Sequence, residues 1–329
     1  MNADYLLPFL LGVAVLLPLA SFFIILVFGP RKDESGEAFA YISVAAIAGA
    51  ALCSFAALAV WLGSNWPGSH DADPIAAVEI HAAVADDHGD ESSEDDETSD
   101  NGHGAPGNES SADPAHALGE TDAASHAQPG HEGDAPKPYY AGEYNVPGFG
   151  VPWVVGKFGD LRISISYYID ALTLVMFCMV TFIATLIHIY AMGYMHEELK
   201  DVTDHEVTLS DGSHLKRPGR YHRFFQYLSL FCFSMLGLVV AGNIAMVFVF
   251  WELVGICSYF LIGFYVERKS ASNAANKAFI VNRVGDFGMI IGLMALWSSL
   301  GTFSFGDMEI TDGTTTIHTQ GIFSKVRPG

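Results

Sequence analysis

Residues 246–264 read MVFVFWELVGICSYFLIGF, an apolar run broken by one ionisable group, Glu252. A membrane-spanning helix needs about 20 apolar residues, because roughly 30 Å of hydrocarbon is crossed at about 1.5 Å per residue. Begun at Ile244 the run is long enough, and Glu252 then stands eight residues after Ile244 and twelve before Phe264, close to mid-membrane. A carboxyl at that depth costs a few kcal/mol or more, so it is normally paired, faces protein, and marks an ion path.

Five further stretches qualify or nearly do: Tyr5 to Phe28, Phe39 to Leu62, Ala171 to Tyr194, Phe224 to Ala241 and Ala278 to Leu300. The fourth and fifth of the six segments meet across Gly242 and Asn243 and must form a tight antiparallel hairpin. The first lacks a basic leader and its apolar run exceeds the roughly 7–15 residues of a secretion signal, so it reads as a retained helix. The expected fold is an all-α polytopic membrane protein, divided as an N-terminal helix pair (1–62), an acidic His-rich external loop (63–160), a four-helix portion (161–300) and a tail (301–329).

Charge is segregated along the 329 residues, whose formal net charge is −21. Between Asp71 and Tyr140 lie 18 of the 37 acids and one lysine, Lys137, which leaves the remaining 259 residues at −4. Sixteen Lys and Arg form no basic stripe, which excludes a nucleic-acid binder. Cys53, Cys178, Cys232 and Cys257 sit singly in apolar runs and read as packing residues, with no spacing for a metal or redox pair.

Orientation follows from Lys and Arg in the short connections. Arg31, Lys32, Lys200, Lys216, Arg217, Arg220, Arg223, Arg268, Lys269 and Lys277 fall on one side, against Lys137, Lys157, Arg162, Lys325 and Arg327 on the other. Ten against five places both termini and the acidic loop outside. From Gly68 to Pro138 the loop has no aromatic residue and cannot bury enough apolar surface to offset its conformational entropy, so disorder is expected. From Tyr139 onward aromatics and Pro-Gly turns return, as in a strand or interfacial piece lying on the membrane surface. Seven of the 13 histidines lie in the loop: His70, His81, His88, His103, His116, His126 and His131. Their irregular spacing defines no ligand set, so a solvated spacer is expected and weak cation binding is the alternative. Asn108-Glu109-Ser110 is read as a chance match to a glycosylation sequon.

The chemistry is expected within the helices. Arg283 and Asp286 lie three apart in the sixth segment, on one helical face, and read either as ion-path groups or as an intrahelical pair that sets packing. His188, near the inner end of the third segment, is a possible path residue or an interfacial one; Asp170, at that segment's outer start, is equally a helix cap. Desolvation raises a carboxyl pKa by up to about 3–5 units and a cation within about 4–6 Å lowers it by about 1–3. Moving a charge across about 150 mV costs roughly 3.5 kcal/mol, comparable with about 4 kcal/mol for a pair at 4 Å and an effective dielectric of 20. One movable ion pair therefore suffices to load or eject a proton, and Glu252 is the expected carrier.

At these residues the chain becomes recognisable. FVFWELVGICSYFLIGFYVERKSASNAANKAFIVNRVGDFG resembles the fifth and sixth helices of subunit L of the proton-pumping NADH:quinone oxidoreductase, respiratory complex I. ISISYYIDALTLVMFCMVTFIATLIHIYAMGYM and RYHRFFQYLSLFCFSMLGLVVAGN are similar to the same subunit, strongly from Ile163 to about Phe305 and weakly over the first two helices. The resemblance implies an antiporter-like fold with inverted repeats and broken helices. It implies proton movement with no cofactor or metal in this chain, NADH and quinone being bound only by other membrane-complex subunits. By motif match Glu252 corresponds to the family's essential membrane glutamate, Asp286 to the aspartate of the next helix and Arg283 to its basic companion. The acidic loop and the stretch from Asp201 to Pro218 depart from the family as insertions. The family also continues well beyond Gly329, so this stretch is expected to carry an incomplete proton path. No G-x-G-x-x-G opens a helix and no cysteine quartet could hold an iron–sulfur cluster.

The expected function is thus a proton-translocating subunit in a bacterial inner membrane, in contact with lipid, protons and other complex I membrane subunits. The alternatives are a large subunit of a multi-subunit Na⁺/H⁺ antiporter and a membrane anchor displaying an acidic cation-binding loop.

Overall fold

The computed structural model describes residues 3–29, 36–65, 139–144, 153–158, 161–312 and 315–326. The expected disordered acidic segment, its seven histidines, the sequon, and Arg31, Lys32, Lys137 and Arg327 lie outside the described residues.

Six long helices dominate: α1 (Ala3–Phe28), α2 (Gly36–Asn65), α3 (Ala171–Tyr194), α4 (Tyr221–Val240), α5 (Ile244–Ile262) and α6 (Lys269–Leu300). Each is long and apolar enough to cross a membrane. The last begins nine residues before the expected Ala278, because Lys269–Lys277, though polar, contains no Pro or Gly to stop a helix. The fourth likewise starts three residues early, through Tyr221-His222-Arg223.

α1 packs on α2, and α4 packs on α1, α2 and α3; α5 lies on α4, and α6 lies on α5. The core falls into two layers. Leu7, Leu11, Ile47, Leu174, Phe177 and Leu236 build one, and Ile25, Phe39, Met195, Tyr221, Phe225 and Phe264 the other. The second layer joins the ends of α1, α3 and α5 to the starts of α2 and α4, the alternation of a serially antiparallel bundle.

The chain is mostly helical, as expected, with two-stranded ladders at both ends, among them strands in the stretch from Tyr139 where a strand or interfacial piece is expected. At one end β1 (Tyr139–Glu143) pairs antiparallel with β4 (Ser166–Asp170), and β2 (Val154–Phe158) with β3 (Leu161–Ser164). There the α4–α5 turn meets them, Gly242 donating its N–H to the Ser166 carbonyl at 3.0 Å. A Cβ on Gly242 would stand 2.6 Å from the Tyr167 nitrogen, so this close backbone approach requires glycine. The residues after α6 return to the same end, where Phe305 N–H donates to the Gly242 carbonyl at 3.0 Å. They continue as β7 (Met308–Asp312), β8 (Thr315–Thr319) and α7 (Ile322–Val326). At the opposite end β5 (Val202–Thr208) and β6 (His214–Arg217) form a hairpin whose turn uses Gly212 at φ +81. Sequence reading misses the β5–β6 and β7–β8 hairpins because two short paired strands leave too little alternating pattern to stand out.

Candidate functional site

Glu252 lies on α5, the helix held between α4 and α6. Arg283 and Asp286 lie on α6, one turn apart and facing α5. The Arg283 guanidinium donates through Nη1 to Oε2 of Glu252 and stands 3.5 Å from Oδ2 of Asp286. Its planar face rests 4.6 Å from the Phe279 ring centroid, one turn earlier on α6. The Asp286 side chain is 7% exposed, that of Glu252 18% and that of Arg283 38%, so the cation is the accessible member. Oε1 of Glu252 is buried and has no hydrogen-bond partner among the described residues. Two carboxylates thus share one cation in an apolar setting, and one carboxylate oxygen keeps its lone pairs unused. Such a centre accommodates one further positive charge, a proton or a small cation, at Oε1.

Sequence puts Arg283 and Asp286 on one helical face but names no partner for Glu252; the structure brings the three together, Arg283 reaching beyond its own helix, which a purely intrahelical pair would not do. His188 is elsewhere. It is 1% exposed on α3, its Nδ1 lies 2.7 Å from the Ala184 carbonyl, and its ring packs beside Phe225 of α4. A carbonyl only accepts, so Nδ1 carries the hydrogen, and in the neutral ring Nε2 is an acceptor, buried with no partner among the described residues. Asp170 caps α3, its Oδ1 accepting from the Thr173 N–H at 2.7 Å.

Two polar groupings escaped the sequence reading. Ser229 of α4 bonds Ser43 of α2 at 2.7 Å and Ser21 of α1 at 3.2 Å, tying three helices in the bundle core. Isolated serines in apolar runs are the only sequence signal for such a link. The other grouping is an ion-pair network at the end carrying the β5–β6 hairpin. Arg217 grips Glu198 through two bonds of 2.8 Å, both side chains being 5% exposed. Arg220 pairs with Glu267, and Arg268 pairs with Asp204 at 2.9 Å and Glu206 at 3.1 Å. The Tyr265 ring contacts both the Arg217 and Arg268 guanidiniums, 5.6 and 5.0 Å from its centroid. Burial works against the charged form of Glu198, yet bonds from Arg217 and the Arg220 N–H hold its carboxyl below the ordinary range. The Arg268 bond does the same for Asp204, and for Glu267 the Arg220 bond overcomes desolvation. These arginines entered the sequence reading only as counts on one side; their partners are up to 64 residues away and leave no spacing signal.

Residues 153–201 match the family described as NADH-Ubiquinone oxidoreductase (complex I), chain 5 N-terminus. Residues 241–324, which include Glu252, Arg283 and Asp286, match NADH:quinone oxidoreductase/Mrp antiporter, TM. The NAD(P)H-quinone oxidoreductase chain 5 of Synechocystis is 45% identical over 148 residues, 45% of this chain and 19% of that relative. The chloroplastic subunit 5 proteins of Anthoceros angustus and Nephroselmis olivacea are each 44% identical, over 151 and 160 residues, 46% and 48% of this chain and 18% and 22% of theirs. The matched stretch spans about a fifth of the length of these relatives. Over these stretches the mostly helical chain is similar to the antiporter-like membrane subunits of complex I.

Proposed function

We propose that this chain is part of the proton-translocating membrane arm of an NAD(P)H:quinone oxidoreductase, with Glu252 as proton carrier and Arg283 and Asp286 as the groups that set its affinity. The observation that carries this reading is the Arg283 guanidinium shared between Glu252 and Asp286, beside a buried Oε1 with no hydrogen-bond partner among the described residues. When Arg283 leans on Glu252, the carboxylate is stabilised and the proton leaves. When Arg283 swings to Asp286, Glu252 is left desolvated and takes a proton. A 3.5 Å gap to Asp286 makes that exchange a side-chain movement, with no helix displacement required.

His188, with its bare Nε2, is the further candidate for the path; Asp170 is spent on the backbone cap of α3 and takes no part. NADH and quinone chemistry would belong to partner subunits, and the membrane would be the energy-coupling membrane of a bacterium. A multi-subunit Na⁺/H⁺ antiporter falls within the second family's description, but the relatives named above are quinone oxidoreductase subunits and favour the first reading.

The test is Glu252→Gln in the assembled complex, with proton uptake read in vesicles alongside quinone reduction and subunit composition. Lost translocation in an intact assembly is expected. Full pumping by the variant overturns the assignment, and purification with antiporter subunits alone overturns the choice of complex.

A further inference from the structure

At the end of the bundle that carries the ion-pair network, a cavity of about 230 Å³ opens between the start of α4, the end of α5 and the first turns of α6. We propose that it holds the phosphodiester group of an anionic phospholipid, with Arg223 as the principal cation and the lipid chain lying along Tyr227 and Phe260. The inference rests on the membrane-spanning character of the bundle and is independent of the proton-carrier reading of Glu252.

Four observations converge on this occupant. The cavity sits where helices end, the depth at which a bilayer presents its headgroups. Its rim carries Arg220 and Arg223, and while Arg220 is engaged by Glu267, Arg223 is exposed and has no ion pair among the described residues. Both arginines also stand at the N-terminus of α4, where the helix dipole opposes a cation; a bound anion relieves that conflict as well as the unpaired charge. The walls are aromatic, with Tyr227 and Phe260 stacked at 5.0 Å and 20°, the amphipathic surface that suits the water–lipid boundary.

Small residues line the wall where α5 and α6 approach closely. Gly263 at the end of α5 faces Ala275 of α6, and a Cβ at Gly263 would stand 3.2 Å from the Ala275 Cβ. Ser272 continues that side of the cavity. Basic pockets between membrane helices at headgroup level are the form that anionic lipid sites take, and a zwitterionic lipid would bring its own cation toward Arg223.

Native mass spectrometry of the purified chain, exchanged into nanodiscs of equal phosphatidylglycerol and phosphatidylcholine and then released, reads which lipid stays bound. Phosphatidylglycerol retention is expected, falling about fivefold in Arg223→Gln, the factor for one interfacial cation, and vanishing in Arg223→Glu. Lys216→Gln, an exposed cation on the nearby β5–β6 hairpin, should leave retention unchanged. Because Arg223 is exposed and its cation opposes the α4 dipole, its variants should be no less thermally stable than the wild type, which is measured alongside. Equal retention of phosphatidylcholine, or undiminished binding in Arg223→Glu, overturns the proposal. So does displacement of the lipid by millimolar inorganic phosphate, which would make this a free-anion site.

Discussion

Arg283 reaches from α6 to the Glu252 carboxylate on α5 while keeping the Asp286 carboxylate of its own helix within 3.5 Å, so that one cation serves two acids on two helices. This predicts energetic coupling across the helix pair. Arg283→Ala should stop translocation and lower the thermal midpoint, because two desolvated carboxylates then lack their counter-charge. Adding Glu252→Gln to it should cost less than the sum of the single changes, with an interaction energy of about 0.5–3 kcal/mol. A thermal-unfolding double-mutant cycle in detergent measures it. Additivity within about 0.5 kcal/mol would mean that the contact carries no coupling.

The Asp170 cap separates two roles that sequence leaves equal. Asparagine accepts a backbone hydrogen bond as well as aspartate does but cannot carry a proton. Asp170→Asn should therefore translocate protons normally and unfold at the wild-type temperature, whereas Asp170→Ala should lose about 1 kcal/mol of stability. Impaired proton uptake in the asparagine variant would put Asp170 back on the path.

The helices and the charged centre were legible for the same reason. Hydrocarbon imposes length and apolarity on every span, and against that uniform background Glu252, Arg283 and Asp286 stand out. The i, i+3 spacing even puts Arg283 and Asp286 on a common face. What sequence did not give is the reach of Arg283 to the neighbouring helix, which depends on how α5 and α6 rotate against each other. The Glu198–Arg217 and Asp204–Arg268 pairs were illegible on similar grounds, since they join residues that only the hairpin β5–β6 and the α5–α6 turn bring together. The start of α6 was misplaced because a polar helical overhang beyond the span carries no hydropathy signal.

Asn243 fastens the α4–α5 turn to the strands beside it. Its amide nitrogen donates to the Ser164 carbonyl at 2.9 Å and to Ser166 Oγ at 2.7 Å, and its Oδ1 accepts from the Met246 N–H at 2.8 Å. Asn243→Ala removes an N-cap worth about 1 kcal/mol and strands a buried carbonyl at about 1–3 kcal/mol, so a loss of about 2–4 kcal/mol is expected. Asn243→Asp keeps the cap but cannot donate to Ser164, and should recover only part of that loss. Thermal midpoints of the three proteins decide it; an alanine variant as stable as the wild type would show the fastening to be dispensable.

The ion-pair network makes the hairpin end sensitive to acid in a stated direction. Asp204 is held below its ordinary value chiefly by the Arg268 bond, and Glu198 and Glu267 lie below theirs because arginine bonds and charges outweigh desolvation. A carboxyl with a depressed folded value adds stability that is complete above its unfolded value and disappears as pH falls through the folded one. Hydrogen exchange across residues 198–217 should therefore show protection that holds at neutral pH and fades below about pH 4, the unperturbed carboxylate range. Arg268→Gln deletes the largest influence on Asp204, whose side chain is only 2% exposed, so desolvation then acts unopposed by that bond and the carboxyl takes its proton at higher pH. The loss of protection in β5 should move to higher pH in this variant. An unshifted profile would mean that the hairpin is held by its backbone ladder alone, and that the pairing of Asp204 with Arg268 contributes nothing to its attachment.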